Sequence, residues 1–307
     1  SCDKCGPTGP TVAVPALGDG GTDLGIGSLT ATLSGDKRQV QLSWVSTAPR
    51  VKVLRTLNGR PTGPLDTSAV TIFDGAGSAA TELSDRLLPN LPLQARTYTY
   101  TAWGCTGSIC SNSSSSAVLA LTLRQALQGG GYTLFWRHAT ATTCQDSIGL
   151  GNASNTTSPN WWKSCETSCA AATAQQLTPA VSEPELNQVR GFFQGNGIGM
   201  SRVLSSEFCR SVRTAEGLQL GPTIERVAGL TYFVYDEANR CRDTLALLNA
   251  APTAGTNVAH VGHSTYSATC PLLDSLDPAE AAVYKPSVGA PARFIARVTP
   301  GQWASLP

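Results

Sequence analysis

Three short segments of this chain end in residues able to do chemistry. GYTLFWRH closes on Arg137 and His138, SRVLSSEFCR runs through Ser205 and Ser206 to Arg210, and NVAHVGH closes on His263. A pair of guanidiniums makes a bidentate clamp for a planar or tetrahedral oxyanion. A neutral histidine aimed into such a clamp is a nucleophile. A second histidine, hydrogen-bonded to the same oxyanion, adds charge as the transition state forms. With only three histidines in the chain, the placement of His138, Arg210 and His263 at three successive strand ends outweighs what any one of them would mean alone. The set suits phosphoryl transfer through a phosphohistidine, without a metal. His260, two residues before its strand end, alternates into the sheet interior and reads as structural.

These ends need a sheet to bring them together. From about Leu121, LTLRQALQGGG predicts a short helix stopped by glycines, followed by the strand GYTLFWRH. SEPELNQVRGFFQGNGIG predicts a helix with Ser182 as its N-cap and Pro184 and Glu185 in its first turn. SRVLSS is a strand, FCRSVRTAEGLQLG a second helix and DEANRCRDTLALLNAAP a third; NVAHVGH and ARFIARV are further strands. Strands alternating with helices predict a three-layer α/β domain with a mostly parallel sheet over 121–307. Ligands of such sheets sit beyond the carboxyl ends of the strands.

The preceding segment reads differently. SLTATLSG, RQVQLSWVS, RVKVLRTLN, AVTIFDG, TYTYTAWGC and SSAVLALTL are short, alternating or β-branched, and divided by turn residues. They predict an antiparallel β-sandwich over 28–120, with Trp44, Tyr98 and Tyr100 in its core. It resembles a fibronectin type III or immunoglobulin-like module, and it contains no histidine and no clustered carboxylates. Residues 1–27, rich in Gly, Pro and Thr, read as a flexible tether.

Composition narrows the setting. The formal net charge is +1 and only 14% of residues are charged, so there is no electrostatic case for nucleic acid or an anionic membrane surface. Ten cysteines at irregular spacing, with so few histidines, form no zinc-ligand array and predict disulfides in an oxidising compartment. Cys2/Cys5 and Cys105/Cys110 are close enough to pair locally. Among Cys144, Cys165, Cys169, Cys209, Cys241 and Cys270 the preferred bridge joins the Cys144–Cys169 loop to Cys209. No apolar run approaches the roughly 20 residues that span a bilayer, and the absence of a leader fits a mature chain. Ser1-Cys2 ahead of a Gly/Pro/Thr tract also resembles the start of a bacterial lipoprotein, so Cys2 is either acylated or bridged to Cys5. Asn112, Asn152 and Asn155 lie in N-x-S/T sequons.

WRHA, SSEFCRSVRTA and NVAHVGHS, in this order and spacing, resemble the histidine phosphatase superfamily over residues 121–307, closer to its small, phosphoglycerate mutase-like branch because no Arg-x-Pro follows His138. The loop PNWWKSC and the tail EAAVYKPSVGAPARFIARVTPGQW look similar to secreted bacterial members. The resemblance implies that His138 is phosphorylated, that Arg137 and Arg210 bind phosphate, and that His263 is the second pocket histidine. Arg213 falls where the family usually has Gln and is expected on the helix surface or pocket rim. Ala139 replaces the usual glycine after the nucleophile and narrows the backbone approach to phosphate.

For the proton donor the expectation falls on Glu280, with Glu237 or Asp236 as runner-up. The loop from Thr140 to Thr178, with Trp161 and Trp162, is expected to wall the pocket, its tryptophans either stacking on substrate or filling the core beneath. The implied function is an extracytoplasmic, metal-independent phosphomonoesterase with no cofactor, acting on a phosphorylated small molecule or glycan. The alternative is a catalytically weak surface protein that binds a phosphorylated glycan or other anion.

Overall fold

The computed structural model describes residues 25–57, 59–87, 96–141, 161–163, 175–231, 237–263, 270 and 275–307. Cys2, Cys5, Cys144, Cys165, Cys169, Asn152, Asn155, Asp236 and most of the 140–178 loop lie outside those residues.

Alternation builds the first half. In β2 (Gln39–Ser43) Val40 and Leu42 point inward while Gln39, Gln41 and Ser43 face solvent. β2 sits between β1 (Thr30–Leu33) and β5 (Ala79–Leu83) in a three-stranded antiparallel sheet. The facing sheet has the order β4-β3-β6-β7, with β3 at Arg50–Leu57, β4 at Val70–Gly75, β6 at Arg96–Thr106 and β7 at Ile109–Leu121. Trp44 is buried against Phe73, its Nε1 donating to the Gly77 carbonyl at 2.9 Å. The core also encloses an ion pair: Arg55 of β3 meets Glu82 of β5 at 3.0 Å, and the Tyr100 hydroxyl of β6 donates to Glu82 at 2.7 Å. The pair ties one sheet to the other. Ile26 bridges to Ser46 and is buried, so the packed sandwich reaches slightly into the segment expected as tether.

Thr122 then opens α1 (Leu123–Gly129) with a reciprocal capping box to Gln125. The helix stops at Gly130, whose φ of 74° only glycine adopts freely. A Cβ at Gly129 would lie 2.3 Å from the Asp36 carbonyl oxygen in the β1–β2 turn. The glycine run is therefore where the α/β half closes onto the sandwich.

The second sheet has the order β10-β9-β11-β8-β12-β13. β8 (Thr133–Arg137), β9 (Met200–Ser205), β10 (Ile224–Arg226) and β11 (Asn257–Gly262) run parallel; β12 (Ala281–Lys285) runs antiparallel to β8, and β13 (Arg293–Val298) antiparallel to β12. α2 (Pro179–Gly195), α3 (Cys209–Leu218) and the short α5 (Pro300–Trp303) share one core with α1, in which Phe192, Phe193 and Trp303 surround Trp136. α4 (Glu237–Leu248) lies on the other core, with Leu248, Phe135 and Tyr284. Two cores on two faces of one sheet make three layers.

One reading of the sequence is corrected. Ser182 is no cap: α2 starts earlier, at Pro179 after Thr178, and Ser182 is buried within it while Pro184 forfeits one backbone donor. Pro179 at the first helical position sets the start, because its missing N–H has no intrahelical partner to lose there. EAAVYK contributes the antiparallel strand β12, which ARFIARV then pairs. Cys105 and Cys110 form a disulfide, as do Cys241 and Cys270; Cys209 is also disulfide-bonded. Among the described residues no helix is long and apolar enough to cross a membrane.

Candidate active site

Register brings the chemistry to one edge. Arg137 pairs with Gly262, and Val261 with Ser205, so β8, β9 and β11 end level with one another. His138 and His263 are the next residues beyond two of those ends. Backbone bonds hold the ends in place: His138 N–H donates to the Gly262 carbonyl at 3.0 Å and Ser206 N–H to the Val261 carbonyl at 2.8 Å. The two imidazole centroids are 5.4 Å apart, with the rings inclined at 65°.

The His138 ring is oriented by its own chain. Nδ1 lies 2.8 Å from the Ala139 carbonyl, which can only accept, so Nδ1 carries the proton and Nε2 keeps its lone pair. Burial, followed by the fields of Arg210 and Arg137, holds the imidazole basicity well below its ordinary value. The ring is neutral in the free protein.

His263 is the complementary tautomer. Arg210 Nη2 approaches its Nδ1 at 3.5 Å, and a guanidinium only donates, so Nε2–H donates to the Ser206 hydroxyl at 3.0 Å. Phe208 N–H donates to the same hydroxyl at 3.3 Å. His263 is also held well below its ordinary value, first by burial, then by Arg210, His138, Arg240 and Arg137.

Arg210, the second residue of α3, is buried, its guanidinium stacked 4.4 Å over the Phe208 ring. Arg137 lies beside His138 in the chain and its Nη1 donates to the Leu276 carbonyl at 2.8 Å. Thr214, also on α3, accepts from Ala139 N–H at 2.9 Å and donates to the Arg210 carbonyl at 2.8 Å. Behind them, Glu185 of α2 accepts from both the amide and the hydroxyl of Thr140, at 2.9 and 2.6 Å. Thus α2 and α3 fix the backbone that follows the nucleophile. The Ala139 methyl is fully buried.

The structure gathers His138, Arg210 and His263 directly, with Arg137 adjoining them. Glu280 has a different occupation. Arg297 donates to both of its oxygens, at 2.9 and 2.6 Å, and Asp277 N–H donates to it at 2.8 Å. Both oxygens of the carboxylate are thus committed to one guanidinium. Glu280 anchors the start of β12 through this pair, a positioning contact at the residue from which the sequence reading expects the leaving-group proton. Asp236 lies outside the described residues, and Glu237 is the first residue of α4.

Arg213 pairs with Glu216 on the exposed face of α3. His260 is buried inside β11. Trp162 is 1% exposed, so it fills space rather than offering a face to substrate, while neighbouring Lys163 pairs with Glu207 at 2.9 Å. Sequence reasoning missed Arg240, buried in the first turn of α4, whose charge is among the causes that lower the basicity of His263. Its segment, EANRCRD, looks like a solvated helix face.

No family model and no curated protein matches the sequence. Solved structures similar to it include the protein histidine phosphatase SixA complexed with tungstate, at 16% identity and a TM-score of 0.36, covering 55% of this chain and 97% of that one. A mycobacterial glucosyl-3-phosphoglycerate phosphatase with inorganic phosphate is similar at 10% identity and 0.35, over 54% of this chain and 94% of its own. An Fn3-like protein from Clostridium thermocellum is similar at 18% identity and 0.24, over 32% of this chain and 93% of its own. At these scores the likenesses are loose.

Proposed function

We propose that this chain is an extracytoplasmic phosphomonoesterase that forms a phosphohistidine on His138. The observation that carries the reading is the orientation of that ring: Nδ1–H is committed to the Ala139 carbonyl, leaving Nε2 unprotonated on a ring 5.4 Å from that of His263, which Arg210 approaches. Nε2 attacks phosphorus, the N–P bond forms, and the P–O bond to the leaving oxygen breaks. That oxygen takes a proton, for which we name Asp236 or Glu237 as the donor. Water then attacks the phosphohistidine, releasing inorganic phosphate and restoring His138.

Charge is handled by guanidiniums, without a metal. Arg137 and Arg210 hold the phosphoryl oxygens, and their attraction strengthens as the buried site excludes water. His263, freed from Ser206, donates to the same oxygens; a bound dianion raises its basicity from the depressed resting value. The substrate is a phosphorylated small molecule or glycan. Oxidised Cys105, Cys110, Cys209, Cys241 and Cys270 support a location outside the reducing cytoplasm. Mass spectrometry of Cys2 from native membranes distinguishes an acyl anchor from a Cys2–Cys5 bridge.

The test is phosphate release from an aryl phosphate. The wild-type chain turns it over and His138→Ala does not, and acid-sensitive, base-stable labelling maps to His138. Unchanged activity in His138→Ala removes the nucleophile assignment. Tight phosphate binding without turnover across a broad substrate panel means a phosphate- or phosphoglycan-binding surface protein instead.

A further inference from the structure

The turn that leads into β12 is bonded to the end of β8. Ala279 N–H donates to the His138 carbonyl at 3.2 Å, and Arg137 N–H donates to the Glu280 carbonyl at 3.1 Å. The Arg137 side chain joins the same turn, its Nη1 donating to the Leu276 carbonyl at 2.8 Å. A guanidinium carries its five N–H groups on a rigid plane, so one bond to a fixed carbonyl directs the others. How well Arg137 is aimed therefore depends on how firmly the 275–280 turn is held.

The turn is held from within and from outside. Glu280 N–H donates to the Asp277 carbonyl at 3.0 Å, and Asp277 N–H donates back to the Glu280 carboxylate at 2.8 Å. From β13, Arg297 spans the turn. Its Nε and Nη2 donate to the two Glu280 oxygens at 2.9 and 2.6 Å, and Nη2 also donates to the Ser275 carbonyl at 2.8 Å. Between these anchors the buried Ala279 has a φ of 54°, in the left-handed region. A residue with a Cβ stays there only where its surroundings over-determine it, and such residues gather at functional sites.

We propose, on the reading of the site as a phosphate pocket with Arg137 in its clamp, that Arg297 and Glu280 are positioning residues for Arg137. They act at one remove: Arg297 fixes Glu280, the turn fixes the Leu276 carbonyl, and that carbonyl directs the guanidinium. A phosphoryl group is held by Arg137 before the chemical step as well as during it. A misdirected Arg137 therefore costs substrate and anion affinity first, and turnover less.

The experiment compares the oxidised full chain with Arg297→Met, Arg297→Lys, Arg137→Met and the double variants Arg297→Met/Arg137→Met and Arg297→Met/Ala279→Gly. Vanadate affinity by calorimetry and aryl phosphate kinetics are read, with thermal melts as the folding check. Arg297→Met is expected to raise KM and weaken vanadate by about tenfold, while kcat changes less. Arg297→Lys shows a smaller loss in the same direction, because an ammonium keeps the charge without the fork. Adding Arg297→Met to Arg137→Met produces little further loss of vanadate affinity, because both act through one guanidinium. Ala279→Gly, at ease in the left-handed region, recovers part of the affinity lost in Arg297→Met. Unchanged vanadate affinity in Arg297→Met overturns the assignment, and so do losses that add in full in the double variant with Arg137→Met. Calorimetry needs no turnover. A wild-type chain that fails to bind vanadate, or that binds it regardless of Arg137, rejects the phosphate clamp itself, whereas binding that needs Arg137 and ignores Arg297 rejects only this inference.

Discussion

The Thr214 hydroxyl accepts the amide N–H of Ala139 at 2.9 Å, and so fastens the backbone just beyond the nucleophile to the helix that carries Arg210. The same hydroxyl donates to the Arg210 carbonyl at 2.8 Å. His138 and Arg210 approach each other from separate elements, and this buried oxygen sets their spacing. Thr214→Val keeps the volume but leaves the Ala139 N–H unpaired, which costs about 1–3 kcal/mol. A lower melting temperature is expected together with a kcat/KM reduced by about tenfold or more, since small misplacements of a reacting group are expensive. Thr214→Ser should restore both. Full activity in the valine variant would show that the link is dispensable.

The acid limb of kcat/KM is the second prediction. His138 must be neutral to attack, and burial, then Arg210 and Arg137, push its basicity well below that of an ordinary imidazole. The free protein therefore keeps its nucleophile available as pH falls through 6.5, and the limb lies below that value once the substrate's own phosphate ionisation is divided out. A limb at or above 6.5 would mean a solvated ring and would contradict the buried geometry.

Carboxylate variants separate anchoring from proton donation. Glu280→Gln weakens the pairing with Arg297, which is partly exposed, so a loss of about 1–2 kcal/mol in stability is expected with kcat changed by less than about threefold. Asp236→Asn or Glu237→Gln should instead lower kcat on alkyl phosphates, whose leaving oxygen needs a proton, and spare activated aryl phosphates. Should Glu280→Gln show that leaving-group dependence, the anchoring role assigned here is wrong.

How much of this was legible in the sequence follows from how local each signal is. His138, Arg210 and His263 could be placed because a short apolar strand followed by polar residues marks a strand end, and parallel strands put such ends together. The sandwich was readable from runs such as Gln39–Ser43, whose alternation needs no partner to be seen. AAVYK of β12 is buried along almost its whole length and has no period to read. The role of Glu280 depended on Arg297, which only the pairing of β12 with β13 brings near. Arg240 was invisible for a related reason: its burial depends on how α4 packs, which a helix of mixed charged and apolar residues does not announce. Ser182-Glu183-Pro184-Glu185 imitated a helix start because those residue types suit a first turn, while the Thr178–Pro179 start lay just upstream.

Acid sensitivity of the fold is the last prediction, and it centres on His260. The residue lies inside β11, paired in register with Phe135 of β8 and Leu204 of β9. Burial, with a lesser contribution from Arg202, lowers its pKa to about 3. Between that value and the ordinary 6.5 the unfolded chain binds a proton that the folded chain refuses, so stability rises with pH across this window and is lost as pH falls through it. At pH 5 the gap from 6.5 corresponds to about 2 kcal/mol from His260. His138 and His263, shifted in the same direction, add to it. Urea midpoints measured from pH 7 to pH 4 should therefore fall steeply in the wild-type chain. His260→Leu keeps the apolar surroundings satisfied and has no proton to bind, so its slope should be shallower by that share. An equal slope in the two proteins would show that His260 reaches water in the folded state.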